Sequence, residues 1–257
     1  MIASLEIVVK SLESGKRPKG GASSSKGTVP SLGGEHLDNF GGFKFEKLKY
    51  VEKDYYLSLN KGRISANDIL IVKDGATTGK ISFVDDDFPF EEAAVNEHLF
   101  ILRINPKIAL PKYVFQVLKS PQGQSEILKD FRGAAIGGIS RSFVKRARIP
   151  LPPLDDQKRI AHLLGKVEGL ITQRKQSLQQ LDELLKSVFL EMFGDPVKNE
   201  KNHKISTLAP FISHLTSGGR GWAKYYSETG KRFIRSLDVQ MNAIGSEDVV
   251  YVAPPNN

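Results

Sequence analysis

The chain has 257 residues, of which 40% are hydrophobic and 26% charged, and a formal net charge of +8. This is long enough for a sizeable core and for more than one domain. There is no cysteine, which excludes disulfides and thiolate metal sites.

Met1 to Lys10 has Glu6 inside its apolar run and no small-residue cleavage site, so no signal peptide is expected. No apolar stretch approaches the roughly 20 residues that span a bilayer, so a cytoplasmic location and no membrane partner are expected. The positive charge is unevenly placed. Residues 1–150 hold 23 Lys and Arg against 17 Asp and Glu, residues 151–195 hold 6 against 7, and residues 196–257 hold 8 against 5. The excess therefore lies on both flanking segments, and a local excess is what binding to phosphates requires.

In chain order, residues 11–48 are rich in Gly, Ser and Lys and read as loops between short strands. Asp68 to Lys73 is a strand, Asp74-Gly75-Ala76-Thr77-Thr78-Gly79 a turn, and Lys80 to Val84 the returning strand. Asp85-Asp86-Asp87 makes a solvated turn, and His98 to Ile104 is a third strand. Pro111 to Lys129 reads as helical across a Ser-Pro step at Ser120-Pro121. Gly133 to Gly138 is a flexible loop, and Phe143 to Pro150 a short closing strand. Strands with few helices suggest a mixed α+β domain over residues 1–150.

From Asp155 the period changes. Ile160, Val167, Arg174, Leu181 and Val188 share one heptad position, with Leu163, Leu170 and Leu184 at the d position and Leu164, Ile171, Leu178, Leu185 and Met192 alongside. The recurrence lasts more than four heptads and predicts a coiled-coil-type helix from about 156 to 193, roughly 55 Å long. Asp155 or Asp156 can cap its start, Gly194 suits a left-handed end, and Pro196 stops continuation. Such a stripe needs a partner helix, in cis or in trans.

A weak internal repeat adds to this layout. Ser11-Leu12-Glu13-Ser14-Gly15 resembles His214-Leu215-Thr216-Ser217-Gly218, Ser31-Leu32 resembles Ser236-Leu237, and Lys49-Tyr50-Val51 resembles Val250-Tyr251-Val252. Offsets near 200 residues suit a duplicated domain separated by its helix. Residues 197–257 are then expected to be the start of an incomplete second domain.

The run Ile149-Pro150-Leu151-Pro152-Pro153-Leu154-Asp155-Asp156-Gln157-Lys158-Arg159-Ile160, with its continuation from Leu181 to Met192-Phe193-Gly194-Asp195-Pro196, resembles the central conserved region of specificity (S) subunits of type I restriction–modification enzymes. Gly62 to Lys80 is similar to the hairpin core of a target-recognition domain in that family. The resemblance implies a target-recognition domain over 1–150 that reads half of a split DNA site. It implies a strap and spacer helix over 151–196 that docks methyltransferase subunits. It also implies partner subunits that carry S-adenosylmethionine, ATP and Mg, with restriction subunits completing the assembly and no cofactor on this chain. Family members usually carry two whole recognition domains, so a non-reading assembly scaffold, or a half-subunit that dimerises through its helix, is the alternative.

Base reading needs extended or forked donors in a groove. The loop candidates for DNA binding are Lys16, Arg17, Lys19, Lys26, His36, Lys73, Lys80, Arg132 and Arg141. The candidate subunit interface is Leu163, Leu164, Val167, Leu170, Ile171, Leu178, Leu181, Leu184, Leu185 and Val188, whose spacing suits a helix laid in a groove. Gly75 to Lys80 lacks the spacing of a nucleotide-phosphate loop and has Ile81 where a hydroxyl is needed. The acidic runs and the scattered histidines lack metal-ligand spacing, so no metal is expected. No nucleophile sits in a catalytic setting, and a non-catalytic subunit is expected.

Overall fold

The computed structural model describes residues 1–133, 137–215, 218–219, 221–245 and 247–253. The chain forms two compact units, Met1–Leu185 and Lys186–Asn257.

The strands of unit 1 are β1 (Ile2–Ser4), β2 (Val9–Ser14), β3 (Val29–Leu32), β4 (Lys49–Val51), β5 (Ile69–Val72), β6 (Ile81–Phe83), β7 (Ala94–Val95), β8 (Leu99–Ile104) and β9 (Arg148–Pro150). Its helices are α1 (Lys53–Ser58), α2 (Pro111–Lys119), α3 (Pro121–Leu128), α4 (Phe143–Arg146) and most of α5 (Leu154–Phe193), whose residues from Lys186 on fall in unit 2. An antiparallel sheet of order β2-β8-β5-β6 forms the centre, and a second sheet of order β4-β3-β7 lies on one side. The unbroken apolar run Ile69-Leu70-Ile71-Val72 is explained by burial on both faces. Ile69 and Ile71, with Phe100 and Leu102 of β8, join a core built with α2, α3 and α4. Leu70 and Val72, with Leu99 and Ile101, join a second core with Leu32, Leu37 and Val95.

Two expected elements differ. The helix over 111–129 is two helices, because Pro121 lacks the N–H that would continue α2 and Ser120 caps α3 by accepting from Gly123 N–H. Gly123 has no room for a side chain, since a Cβ would lie 2.0 Å from the Val117 carbonyl oxygen. The closing strand over 143–150 is strand only at β9; Phe143 and Val144 instead enter the core from the helical turn α4.

β1 pairs antiparallel with β9, Ile2 opposite Pro150, and this places the proline strap beside the N-terminus. α5 follows with 40 residues, about 60 Å at 1.5 Å each. It begins at Leu154, so Asp155 and Asp156 lie inside its first turn. There they favour the positive end of the helix dipole rather than cap it as expected. At the far end Gly194 has φ +73° and its N–H reaches the Leu190 carbonyl. Lys201 and His203 donate to the carbonyls of Met192 and Phe193.

Unit 2 contains β10 (Tyr226–Ser227), β11 (Lys231–Phe233), β12 (Val239–Gln240), β13 (Ala243–Ile244) and β14 (Val250–Val252). It repeats part of unit 1. Val29, Pro30 and Ser31 pair with Val51, Tyr50 and Lys49; Lys231, Arg232 and Phe233 pair with Val252, Tyr251 and Val250. The expected match of Lys49–Val51 with Val250–Val252 holds. The match of Ser31-Leu32 with Ser236-Leu237 does not, because Ser236–Asp238 is the short 3-10 turn that corresponds to Gly34–His36. The resemblance of Ser11–Gly15 to His214–Gly218 rests partly on positions outside the described residues.

Candidate nucleic-acid interface

Four of the nine candidate cations share one loop. Lys16, Arg17, Lys19 and Lys26 are all exposed on the segment between β2 and β3. Its backbone is braced: Ser23 and Tyr50 exchange N–H···O bonds at 3.0 and 2.7 Å, and Thr28 N–H reaches the Val51 carbonyl at 3.1 Å. Ser23 Oγ accepts from the N–H groups of Ser25 and Lys26. Tyr55 donates its hydroxyl to the Lys16 carbonyl at 2.9 Å. The result is a cleft of about 730 Å³ lined by the four cations together with Tyr50 and Tyr55.

A chain of polar contacts leads from this loop to the next. Arg17 Nη1 lies 3.7 Å from Glu97, Glu97 lies 3.6 Å from His98 Nε2, and His98 Nδ1 lies 2.5 Å from Asp74. Lys73 Nζ pairs with the other Asp74 oxygen at 2.5 Å. Burial works against the Asp74 carboxylate, but the hydrogen bonds from Lys73 and His98 outweigh it and hold the group below its ordinary range.

Arg132 stands beside this hairpin. Its N–H and carbonyl both pair with Gly138 at 2.9 Å, and Ile139 N–H reaches the Lys73 carbonyl at 2.7 Å. The fully buried Asp130 carboxylate anchors the segment, accepting from Ser140 N–H, Ser140 Oγ and Ser142 Oγ and pairing with Arg146 at 2.7 Å. Ala134, Ala135 and Ile136 of the expected flexible loop lie outside the described residues. Arg132 is exposed, with its nearest carboxylate, that of Asp130, 3.6 Å away. Arg141 is exposed but engaged, donating to the Leu12 carbonyl at 2.6 Å and to Ser14 Oγ at 3.2 Å. Lys80 is half-buried and turns to the Leu37 carbonyl at 3.1 Å, beside a different cleft lined by Asp38, Thr77 and Lys119.

His36 is a correction. It is 1% exposed and cannot reach a base from the surface. Its Nδ1 accepts from Gly33 N–H at 2.9 Å, closing the short turn after β3. Asp238 occupies the same place in unit 2 and accepts from Arg235 N–H at 2.7 Å. What both copies need at this position is a side-chain acceptor. The hydrogen bond with Arg235 pulls the Asp238 carboxyl down to about 2, whereas burial lowers the His36 pKa against the opposing charge of Glu35.

A base with a folded pKa below its unfolded value takes up its proton first in the unfolded chain. His36 therefore contributes stability that is complete above about pH 6.5 and is lost as the pH falls through that value towards its folded pKa. His36→Asn keeps an acceptor without a titration, so its unfolding free energy is expected to lose this component of the acid limb in urea titrations at stepped pH. An unchanged acid limb would contradict this.

Sequence reading missed Tyr55, because α1 is short and carries no period to detect it, and treated Tyr50 only as part of the repeat. Every residue of the expected helix interface is exposed, between 39 and 67%. No other helix covers it among the described residues; the head packs on the start of the helix through Gln157 and Ala161 and takes in Ile160, the first residue of the heptad position shared with Val167, Leu181 and Val188. Among the described residues no three His, Asp or Glu side chains cluster as a metal site, and no helix is long and apolar enough to cross a membrane.

A mixed α/β head with a braced cationic loop, joined to one long helix, is the class of fold that the chain shows. The particular family follows from sequence: the model of the type I restriction modification DNA specificity domain matches residues 4–183, and the chain belongs to that family. It is 27% identical over 183 residues to the type I restriction enzyme MjaVIII specificity subunit of Methanocaldococcus jannaschii, covering 71% of this chain and 39% of that protein. It is 23% identical over 236 residues to the EcoKI specificity subunit of Escherichia coli K12, covering 87% of this chain and 50% of that one. The chain thus spans half or less of the length of these relatives. A solved chain, described under the structural basis of complex assembly and conformational transition of the type I R-M system, shares the fold. That match has a TM-score of 0.54 and 17% identity, covering 93% of this chain and 61% of that one.

Proposed function

We propose that this chain is the DNA sequence-recognition subunit of a type I restriction–modification complex and directs adenine methylation and restriction by partner subunits. The observation that carries the reading is the loop presenting Lys16, Arg17, Lys19 and Lys26 beside Tyr50 and Tyr55, within a chain of the specificity family. Cations and hydrogen-bonding side chains on a braced loop suit phosphate contacts that set register and base contacts that select sequence. The subunit is non-catalytic on this reading and works in the cytoplasm. Methyltransferase and restriction subunits supply S-adenosylmethionine, ATP and Mg²⁺. The helix acts as spacer and docking rod; its length of about 60 Å exceeds one and a half turns of B-DNA.

The test is duplex binding by the full chain at physiological salt, with and without its methyltransferase, on a target taken from methylome sequencing of a host carrying both. Sequence-specific binding that strengthens with the partner is expected. Alanine at Lys16, Arg17, Lys19 and Lys26 together is expected to weaken it and to lower the salt slope by about 1 for each phosphate contact removed. Equal affinity for random duplexes would defeat the reading. Arg141 is a poor probe, since alanine there also frees the Leu12 carbonyl and Ser14.

A second reading is favoured by the uncovered seam: a scaffold or half-subunit that dimerises through α5 without reading DNA. On that reading the four-alanine variant assembles as the native chain does, and neither binds duplex selectively.

A further inference from the structure

Helix α5 meets the head in two places. The first is its buried start, where Gln157 donates to the Pro152 carbonyl and accepts from Leu110 N–H, both at 2.8 Å, and Ala161 enters the core. The second lies farther along. Glu168 accepts from Gln116 Nε2 at 2.7 Å and from Lys119 Nζ at 2.6 Å, and Lys175 Nζ sits 3.6 Å from the Phe40 ring centroid.

Phe40 is 66% exposed, yet it stands on a stiff turn. Asp38 accepts from the N–H groups of Phe40 and Gly42 at 2.7 and 2.8 Å. Ser82 Oγ and Phe83 N–H tie the neighbouring carbonyls of Gly42 and Gly41 to β6. An exposed ring on a braced turn adds little to a core; its contact is the ammonium. Ala161, Glu168 and Lys175 follow at seven-residue intervals, so at 100° per residue they lie within about 40° of Gln157 on one face. From Gln157 to Lys175 the helix rises about 27 Å. Two attachments that far apart fix a direction, whereas the first alone leaves a pivot.

We propose that Phe40 with Lys175, and Glu168 with Gln116 and Lys119, are positioning contacts that set the direction of the spacer helix on the head. They thereby set the distance from the half-site this head reads to the next. The second clause rests on the recognition reading above; the first does not.

Because the chain has no cysteine, spin labels at Lys61→Cys and Gln180→Cys, both exposed, report one head-to-helix distance in the full chain. A narrow distance distribution is expected in the otherwise native protein, and a broadened one when Phe40→Ala and Glu168→Ala are combined, with the cooperative melting of the head unchanged. Lys175→Ala with Glu168→Ala removes the same contacts from the helix side alone and is expected to behave alike, while Phe40→Tyr keeps the ring face and the narrow distribution. A native distribution that is already broad, or variants that stay as narrow as the native chain, would overturn the proposal.

In a host carrying the chain with its methyltransferase, the double variants are expected to methylate the same half-site sequence with relaxed spacing between halves. Unrelaxed spacing beside a broadened distance distribution removes the link to site spacing. No sequence-specific methylation by the native chain sinks the recognition reading instead, and the distance measurement still decides the attachment.

Discussion

Arg103→Ala is expected to cost the head about 3–5 kcal/mol, towards the lower figure because the guanidinium is a quarter exposed. The measurement is urea unfolding, read as a fall in midpoint at unchanged slope. Arg103 holds Asp68 through Nε and Nη2 at 2.8 and 3.1 Å, Glu13 through Nη1 at 2.5 Å, and the Arg63 carbonyl through Nη2 at 2.7 Å. The acceptors are themselves committed, Asp68 to Ser65 N–H and Glu13 to Gly62 N–H. One side chain thus joins β2, β8 and the approach to β5. Asp68 is 2% exposed, so alanine at 103 strands a buried carboxylate.

The same argument gives a pH signature. Burial raises the Asp68 pKa and Arg103 opposes the rise; without Arg103 the folded value climbs further above an unfolded value of about 3.9. A raised acid protonates first in the folded state, so the deficit of Arg103→Ala shrinks as the pH falls from 7 through that raised value. Arg103→Ala with Asp68→Asn removes the charge of the more deeply buried carboxylate, leaving only Glu13 without its cation, and is expected to recover part of the loss at pH 7. A double variant no more stable than the single one would mean that the lost energy is packing.

What could be read in the sequence followed the range of the physical signal. The Asp68–Val84 hairpin, the strand ending at Ile104 and the long helix carry their pattern within a few residues, and each is expected within two residues of its limits. The break at Ser120-Pro121 was visible as a Ser-Pro step, but only packing showed that Gly123 must lie against Val117. Burial is not local, so nothing in the sequence marked His36 as interior while Arg17 and Lys19 face solvent. The repeat misled by letters: Ser-Leu recurs at 31 and 236, yet the conserved part is a role, filled by imidazole at His36 and by carboxylate at Asp238. The helix was legible as a stripe, but which of its faces the head would take was not. Glu168 meets Gln116 and Lys119 across some fifty residues of chain, a pairing that no spacing rule detects.

That division of the helix surface leads to the largest effect expected on assembly. The head occupies the face of Gln157, Ala161, Glu168 and Lys175, and the seam fans out from the edge of that face, where Leu164 and Ile171 lie, to Leu163, Val167, Leu170, Leu181, Leu185 and Val188, which lie about 80–140° round the helix at 100° per residue. A stripe this apolar and this exposed is what a companion helix covers. Leu181→Asp with Leu185→Asp removes two leucines, each contributing about 1.5–3 kcal/mol when fully buried, and sets charges in their place. Association through the seam is therefore expected to weaken at least about 100-fold, read by sedimentation of the chain alone and by co-purification with the methyltransferase that the proposed function assigns as its partner. Because neither position touches the head, its melting is expected to stay unchanged, as is the half-site preference that the proposed function gives it. Loss of methyltransferase with self-association intact would assign the seam to the partner, and the reverse would assign it to a second copy. Retention of both would mean that α5 is gripped on the polar face, and that its apolar stripe serves no assembly.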